Sequence, residues 1–203
     1  MRETKIKICG IRTVSDALLL NKYEIDYAGF VVFYEKSKRY VTIEKAKELM
    51  EVLDKSIKKV AVTVSPTVEE IEAIERRGFD YIQIHGILAK ESFDAIRLPI
   101  LRAFNVTDMD KYLVYKECHK VAGYVFDAVV PGSGETFDWS LVKDMPKDDK
   151  IFILAGGLSD SNVAQAIKYI NPQVVDVSSS VENDFGKDEE KIIKFVRSVE
   201  DAK

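Results

Sequence analysis

Two side chains of this 203-residue chain are suited to moving protons at neutral pH: the thiol of Cys9 and the carboxyl of Asp127. Each closes a short apolar run. A thiol and a carboxyl facing one another across a cavity can act as base and acid on one substrate. A second group of residues suits an anion. Gly156-Gly157 and Ser178-Ser179-Ser180 are turn sequences whose backbone N–H groups can point at a phosphate. Arg39 ends the basic run Lys36-Ser37-Lys38-Arg39, where its planar fork could take a carboxylate or the run could simply be solvated. His85 fits an orienting or ligand role, and equally a satisfied structural one. With only His85 and His119, and no carboxylates clustered at ligand spacing, no metal site is expected. Cys118 reads as core.

These residues are spaced along the chain by a regular rhythm of elements. Eight β-rich runs are expected at Lys5–Cys9, Tyr27–Phe33, Lys59–Val64, Asp80–Ile84, Ile100–Ala103, Ala122–Phe126, Ile151–Ala155 and Val174–Val177. Helix-period segments lie between them, such as Ile43–Leu53 and Val68–Arg77, and an amphipathic helix Asp188–Val199 closes the chain. Thr67 with Glu70 reads as a capping box, Thr42 as an N-cap, Ser159 or Asp160 as another, and Gly78 as a C-cap.

Strands alternating with helices imply parallel strands joined by crossovers. The alternatives are an open doubly wound sheet and a closed (β/α)8 barrel. The first βα turn, Cys9-Gly10-Ile11-Arg12, lacks the glycine fingerprint common in the open form. Eight units in one domain over residues 1–203 suit a compact α/β barrel. The site is then expected at the C-terminal strand ends, which carry Cys9, Arg39, Ser65, His85, Arg102, Asp127, Gly156-Gly157 and the serine run. Strand parity puts Lys7 inside the barrel one layer below Cys9, with Asp176 beside it. An unpaired charge there is costly, so the two are expected to pair.

Composition narrows the partners. Lys plus Arg is 30, Asp plus Glu 34 and the net charge −4, which argues against nucleic acid. No apolar run has membrane-spanning length. Two cysteines in a chain of this size suit the reducing cytoplasm.

Six short motifs, in order along nearly the whole chain, resemble those of the phosphoribosylanthranilate isomerase family of tryptophan biosynthesis. They are Lys7-Ile8-Cys9-Gly10-Ile11, Ser37-Lys38-Arg39-Tyr40-Val41, Ile82-Gln83-Ile84-His85-Gly86, Phe126-Asp127 with Gly132-Ser133-Gly134 and Thr136-Phe137-Asp138-Trp139, Leu154-Ala155-Gly156-Gly157-Leu158, and Val175-Asp176-Val177-Ser178-Ser179. The resemblance implies an Amadori rearrangement with no cofactor. Cys9 would be the general base, Asp127 the general acid and Arg39 the holder of the anthranilate carboxylate. His85 would contact substrate, and backbone groups around Gly156, Gly157, Ser178, Ser179 and Ser180 would hold its phosphate. For these roles the barrel mouth should lower the Cys9 pKa and raise that of Asp127.

The sequence departs from the family pattern at Glu135, where lysine is usual, and at Ser180, where glycine is usual. A long second strand suggests a bulge before Arg39. Other readings at this point are a different phosphosugar isomerase barrel, a non-catalytic barrel binding a phosphorylated ligand or a protein, and a bare scaffold. The oligomeric state is expected to be monomer or homodimer.

Overall fold

A computed structural model describes residues 4–128, 136–143, 145 and 148–202. The Gly132-Ser133-Gly134 motif and Glu135 lie outside the described residues.

The eight strands are β1 (Lys5–Cys9), β2 (Tyr27–Val31), β3 (Lys58–Val64), β4 (Tyr81–His85), β5 (Ile100–Asn105), β6 (Val121–Asp127), β7 (Ile151–Leu154) and β8 (Val174–Val177). All pair in parallel, in sequence order, and β8 returns to β1 to close a barrel. The outer elements are α1 (Val14–Leu20), α2 (Ile43–Glu51), α3 (Val68–Glu75), α4 (Lys90–Ala95), α5 (Ser140–Lys143), α6 (Val163–Ile170) and α7 (Glu189–Glu200). After β5 the crossover is a 3-10 segment, Val106–Tyr115.

The side-chain alternation of each strand decides what it buries. On β1, Ile6 and Ile8 face the helices, while Lys7 and Cys9 face the axis. On β4, Ile82 and Ile84 face the helices, while Gln83 and His85 line the mouth. The outer layer is one large aliphatic and aromatic core, and the axis holds a smaller one built on Tyr27, Val31, Val60, Val62, Leu101, Ala103, Val125, Ile153 and Val174. Burying each large aliphatic side chain contributes about 1.5–3 kcal/mol. The bottom of the barrel is therefore packed apolar, and polarity enters only toward the strand C-termini.

Local chemistry sets the helix starts. Thr67 and Glu70 form the expected capping box, and Thr42 caps α2. Thr13 and Asp16 form a second box at α1. The start of α6 differs from expectation. Asn162, not Ser159 or Asp160, is its N-cap; its Oδ1 accepts from the Ser159 N–H and its Nδ2 donates to the Gly157 carbonyl. That pair of bonds shapes the β7–α6 turn.

The expected bulge before Arg39 is not found. The β2–β3 register runs unbroken from Tyr27 to Val31, and β2 ends two residues earlier than the apolar run suggests. Phe33 instead takes a left-handed φ of 56°, which turns the chain out of the barrel. The register shift in this barrel lies between β5 and β6, at Ile100/Leu101.

Candidate active site

A cavity of about 150 Å³ opens at the C-terminal end of the strands. Cys9, Arg39, His85, Asp127, Gly156, Gly157, Asp176, Ser178 and Ser179 all line it, together with Tyr34, Ser37 and Gln83. Strands one, four, six, seven and eight thus deliver most of the sequence-selected residues to one place. Arg102, Ser65 and Ser180 are exceptions and do not line it. Arg102 faces outward, donates to the carbonyls of Ile84 and Ala103 at 2.6 and 3.1 Å, and lies over the rings of Phe104 and Tyr115. Ser65 ties neighbouring turns by accepting from the Ile87 N–H at 2.9 Å.

Cys9 sits where β1 ends, and its sulfur packs on Gly29 of β2. A β-carbon at Gly29 would lie 2.8 Å from Sγ, so a side chain there would displace the thiol. Burial pushes the thiol pKa up, against the opposing pull of the Lys7 ammonium. This corrects the expectation of a lowered value: the N–H dipoles at the mouth do not outweigh desolvation. Asp127 follows expectation. Burial raises its carboxyl to about 6, opposed by one hydrogen bond from the Ala128 N–H to Oδ1 at 2.8 Å. Burial also drives the His85 pKa down to about 4, so its ring is neutral at pH 7. It pairs with the Gln83 amide at 2.9 Å.

Below the mouth, Lys7 Nζ donates to Asp176 Oδ2 at 2.6 Å, as parity requires. Lys7 is fully buried. The other carboxylate oxygen, Oδ1, is buried without a hydrogen-bond partner among the described residues. Removing one member of such a pair strands the other charge in the interior, which costs about 3–5 kcal/mol. Lys7→Met should therefore shift the urea midpoint down by that equivalent. Lys7→Met with Asp176→Leu should recover part of the loss. An unshifted midpoint for the single variant would refute this account of the pair.

The anion-binding turns are built from backbone. Gly156 and Gly157 both have left-handed φ, 80° and 62°. A β-carbon at Gly156 would fall 2.5 Å from the Ala128 nitrogen. Across from them, the 3-10 turn Ser179–Val181 starts after β8. Among the described residues, the N–H groups of Gly157, Ser179 and Ser180 donate to no protein oxygen. The serine hydroxyls are committed elsewhere: Ser178 Oγ donates to the Cys9 carbonyl at 2.9 Å, and Ser180 Oγ to the Leu158 carbonyl at 2.6 Å. Ser180 has no positive φ, so serine in place of glycine is unstrained.

Arg39 is not a member of a solvated run. Its Nε and Nη2 donate to both oxygens of Glu182 at 2.7 and 3.0 Å. Lys187 Nζ donates to Glu182 at 2.7 Å and to the Cys9 carbonyl at 2.6 Å. Neither Glu182 nor Lys187 stands out in the sequence. Among the described residues, no three His, Cys, Asp or Glu side chains are grouped to hold a metal ion.

Residues 6–198 match the family model for N-(5′-phosphoribosyl)anthranilate (PRA) isomerase. The chain belongs to that family. It is 42% identical over 205 residues to the N-(5′-phosphoribosyl)anthranilate isomerase of Clostridium acetobutylicum, covering 96% of this chain and 97% of that one. Among solved PRA isomerases, a monomeric form of the dimeric Thermotoga maritima protein superposes with a TM-score of 0.83 at 33% identity, covering 98% and 99% of the two chains. A PRA isomerase in complex with reduced 1-(o-carboxyphenylamino)-1-deoxyribulose 5-phosphate superposes with a TM-score of 0.81 at 32% identity, with the same coverage. The closed eight-stranded barrel is the PRA isomerase fold, and in this PRA isomerase chain the cavity lies at the end of the barrel where such enzymes carry their sites.

Proposed function

We propose that this chain isomerises N-(5-phospho-β-D-ribosyl)anthranilate to 1-(2-carboxyphenylamino)-1-deoxy-D-ribulose 5-phosphate, a step of tryptophan biosynthesis. Family membership over residues 6–198 supports the reaction. One observation carries the mechanism: a half-buried thiol and a carboxyl that keeps its proton up to about pH 6 line one cavity.

Asp127 gives its proton to the ribose ring oxygen. The C1′–O bond breaks, and the anilino nitrogen lone pair forms the C=N bond of the open iminium. The Cys9 thiolate then takes the proton from C2′, and that C–H electron pair neutralises the iminium to an enolamine. Tautomerisation of the enolamine, with a proton delivered to C1′, yields the ketone. Atoms and electrons balance without any cofactor.

The remaining groups bind. Among the described residues Arg39 Nη1 has no partner, and it meets the anthranilate carboxylate. The N–H groups of Gly157, Ser179 and Ser180 take the phosphate, with Gly156 and Ser178 shaping the two turns. Neutral His85 contacts the substrate as a hydrogen-bonding group. Asp176 lines the cavity and Lys7 supports it from below.

The protein acts as a monomer or a homodimer. Both cysteines are unpaired, which suits a cytoplasmic enzyme. Among the described residues no helix is long and apolar enough to cross a membrane, and the small acidic net charge gives no attraction for nucleic acid.

The test mixes purified protein with freshly generated PRA and follows the loss of anthranilate-type fluorescence. Turnover to the ketone is expected. A folded sample without turnover would remove this reading.

A further inference from the structure

The partners of Arg39 pose a problem of charge. A substrate carboxylate is drawn by an arginine, yet half of this guanidinium already faces a carboxylate. Glu182 accepts Arg39 Nε at 2.7 Å and Nη2 at 3.0 Å, a bidentate pair. Both side chains are almost buried, at 8% and 9% exposure. An arginine neutralised in this way would have little attraction left for an anion.

Lys187 resolves the problem. Its side chain is 1% exposed, and its Nζ lies 2.7 Å from the same Glu182 oxygen that holds Arg39 Nε. Two cations now share one anion: burial lowers the Lys187 pKa, Glu182 opposes that shift, and with Lys187 protonated the trio carries one net positive charge. Those two neighbours hold the Glu182 pKa down at about 2 despite its burial, so the carboxylate stays charged throughout the neutral range. Ser178 Oγ lies 3.3 Å from it, with the Cys9 carbonyl as its nearer acceptor at 2.9 Å.

Geometry gives Glu182 a second effect. An arginine side chain has several free torsions, and holding two of its nitrogens fixes the plane of the fork. The edge left over carries Nη1, which has no partner among the described residues. Arg39 lines the cavity and Glu182 does not.

We infer that Glu182 is a positioning residue: it holds Arg39 so that Nη1 meets the substrate's aryl carboxylate, while Lys187 supplies the charge that keeps the pair cationic. This rests on the proposed reaction, in which the substrate carries an ortho carboxylate on its aromatic ring. A residue acting only on fold stability would not discriminate between ligands with and without that group. Glu182, acting through Arg39, must.

The test uses two unreactive reduced product analogues, N-aryl-1-amino-1-deoxy sugar alcohol 5-phosphates. One carries the ortho carboxylate and the other a bare phenyl ring. Binding is measured by calorimetric titration, so no turnover is needed. Wild type should bind the carboxylated ligand more tightly. Glu182→Gln should weaken it about tenfold, the scale of one charge-assisted hydrogen bond, and change the phenyl ligand by less than about twofold. In an Arg39→Ala background, Glu182→Gln should add nothing to the loss. Should Glu182→Gln fail to fold, Glu182→Asp keeps the charge, withdraws it from Arg39 and should give the same selective loss. Equal weakening of both ligands, additivity with Arg39→Ala, or a wild type indifferent to the carboxylate would each overturn the inference. Wild type binding neither ligand would instead remove the proposed reaction.

Discussion

Asp127→Asn should lower kcat by roughly two orders of magnitude or more and, at pH 8, make the protein more stable. The amide keeps the shape of the carboxyl and can still accept from the Ala128 N–H, but it has no proton to give. The stability effect follows from the raised pKa of about 6. The folded state holds this proton more tightly than the unfolded chain, whose aspartates titrate near 3.9. Below about pH 4 both states are protonated and the carboxyl costs nothing. As the pH rises through about 6, ionisation inside the cavity becomes a penalty of about 3 kcal/mol. Asparagine does not ionise and escapes that penalty. Urea melts at pH 8 should therefore show the inactive variant outlasting wild type, with the advantage shrinking toward pH 4. A variant with near wild-type kcat, or one less stable at pH 8, would defeat the assignment of Asp127 as the acid.

Cys9→Ser should be as damaging to kcat, with little change in stability, because the hydroxyl occupies nearly the thiol's place and ionises far less readily. The pH profile makes this prediction sharper. The productive form needs Asp127 protonated and Cys9 ionised. Yet Asp127 titrates at about 6, while burial holds Cys9 above its ordinary value of about 8.5. The active pair is thus the reverse of the abundant one, and only a minor fraction of the free enzyme carries it. The kcat/KM profile should be a bell. Its lower break, near 6, reports Asp127 and its upper break reports Cys9. Asp127→Asn should abolish the fall at high pH and leave a rate that rises as Cys9 ionises, whereas Cys9→Ser should abolish the rise and leave a rate that falls as Asp127 ionises. Limbs that persist in both variants would mean other groups move the protons.

The period-2 alternation of the strands was enough to read the barrel, its inward residues and the Lys7–Asp176 pair. In a parallel barrel one parity governs every strand, so a residue's face follows from counting. The same counting placed Cys9 and Asp127 at one mouth. It could not supply Glu182 and Lys187. They lie after β8, 143 and 148 positions from Arg39, in a segment without periodicity, and only three-dimensional closure brings them together. The direction of the Cys9 pKa was illegible for a related reason, because desolvation depends on how tightly Gly29 and its neighbours pack around the sulfur. Nor does composition reveal that Ser178 and Ser180 use their hydroxyls as internal ties.

The seam between β1 and β8 carries a consequence for folding. Thr4 donates to Pro172, Lys7 to Asp176, Ser178 and Lys187 to Cys9, and the Lys187 N–H to Asp16. These contacts join residues 168 to 178 positions apart, near the greatest sequence separation the chain permits. Loop closure over such distances is slow and late. The carbonyl of Cys9 stays untethered until Ser178 and Lys187 have left the ribosome. A chain interrupted before Ser178 has the thiol but neither of its anchors. The catalytic mouth is therefore completed late, only once β8 docks against β1.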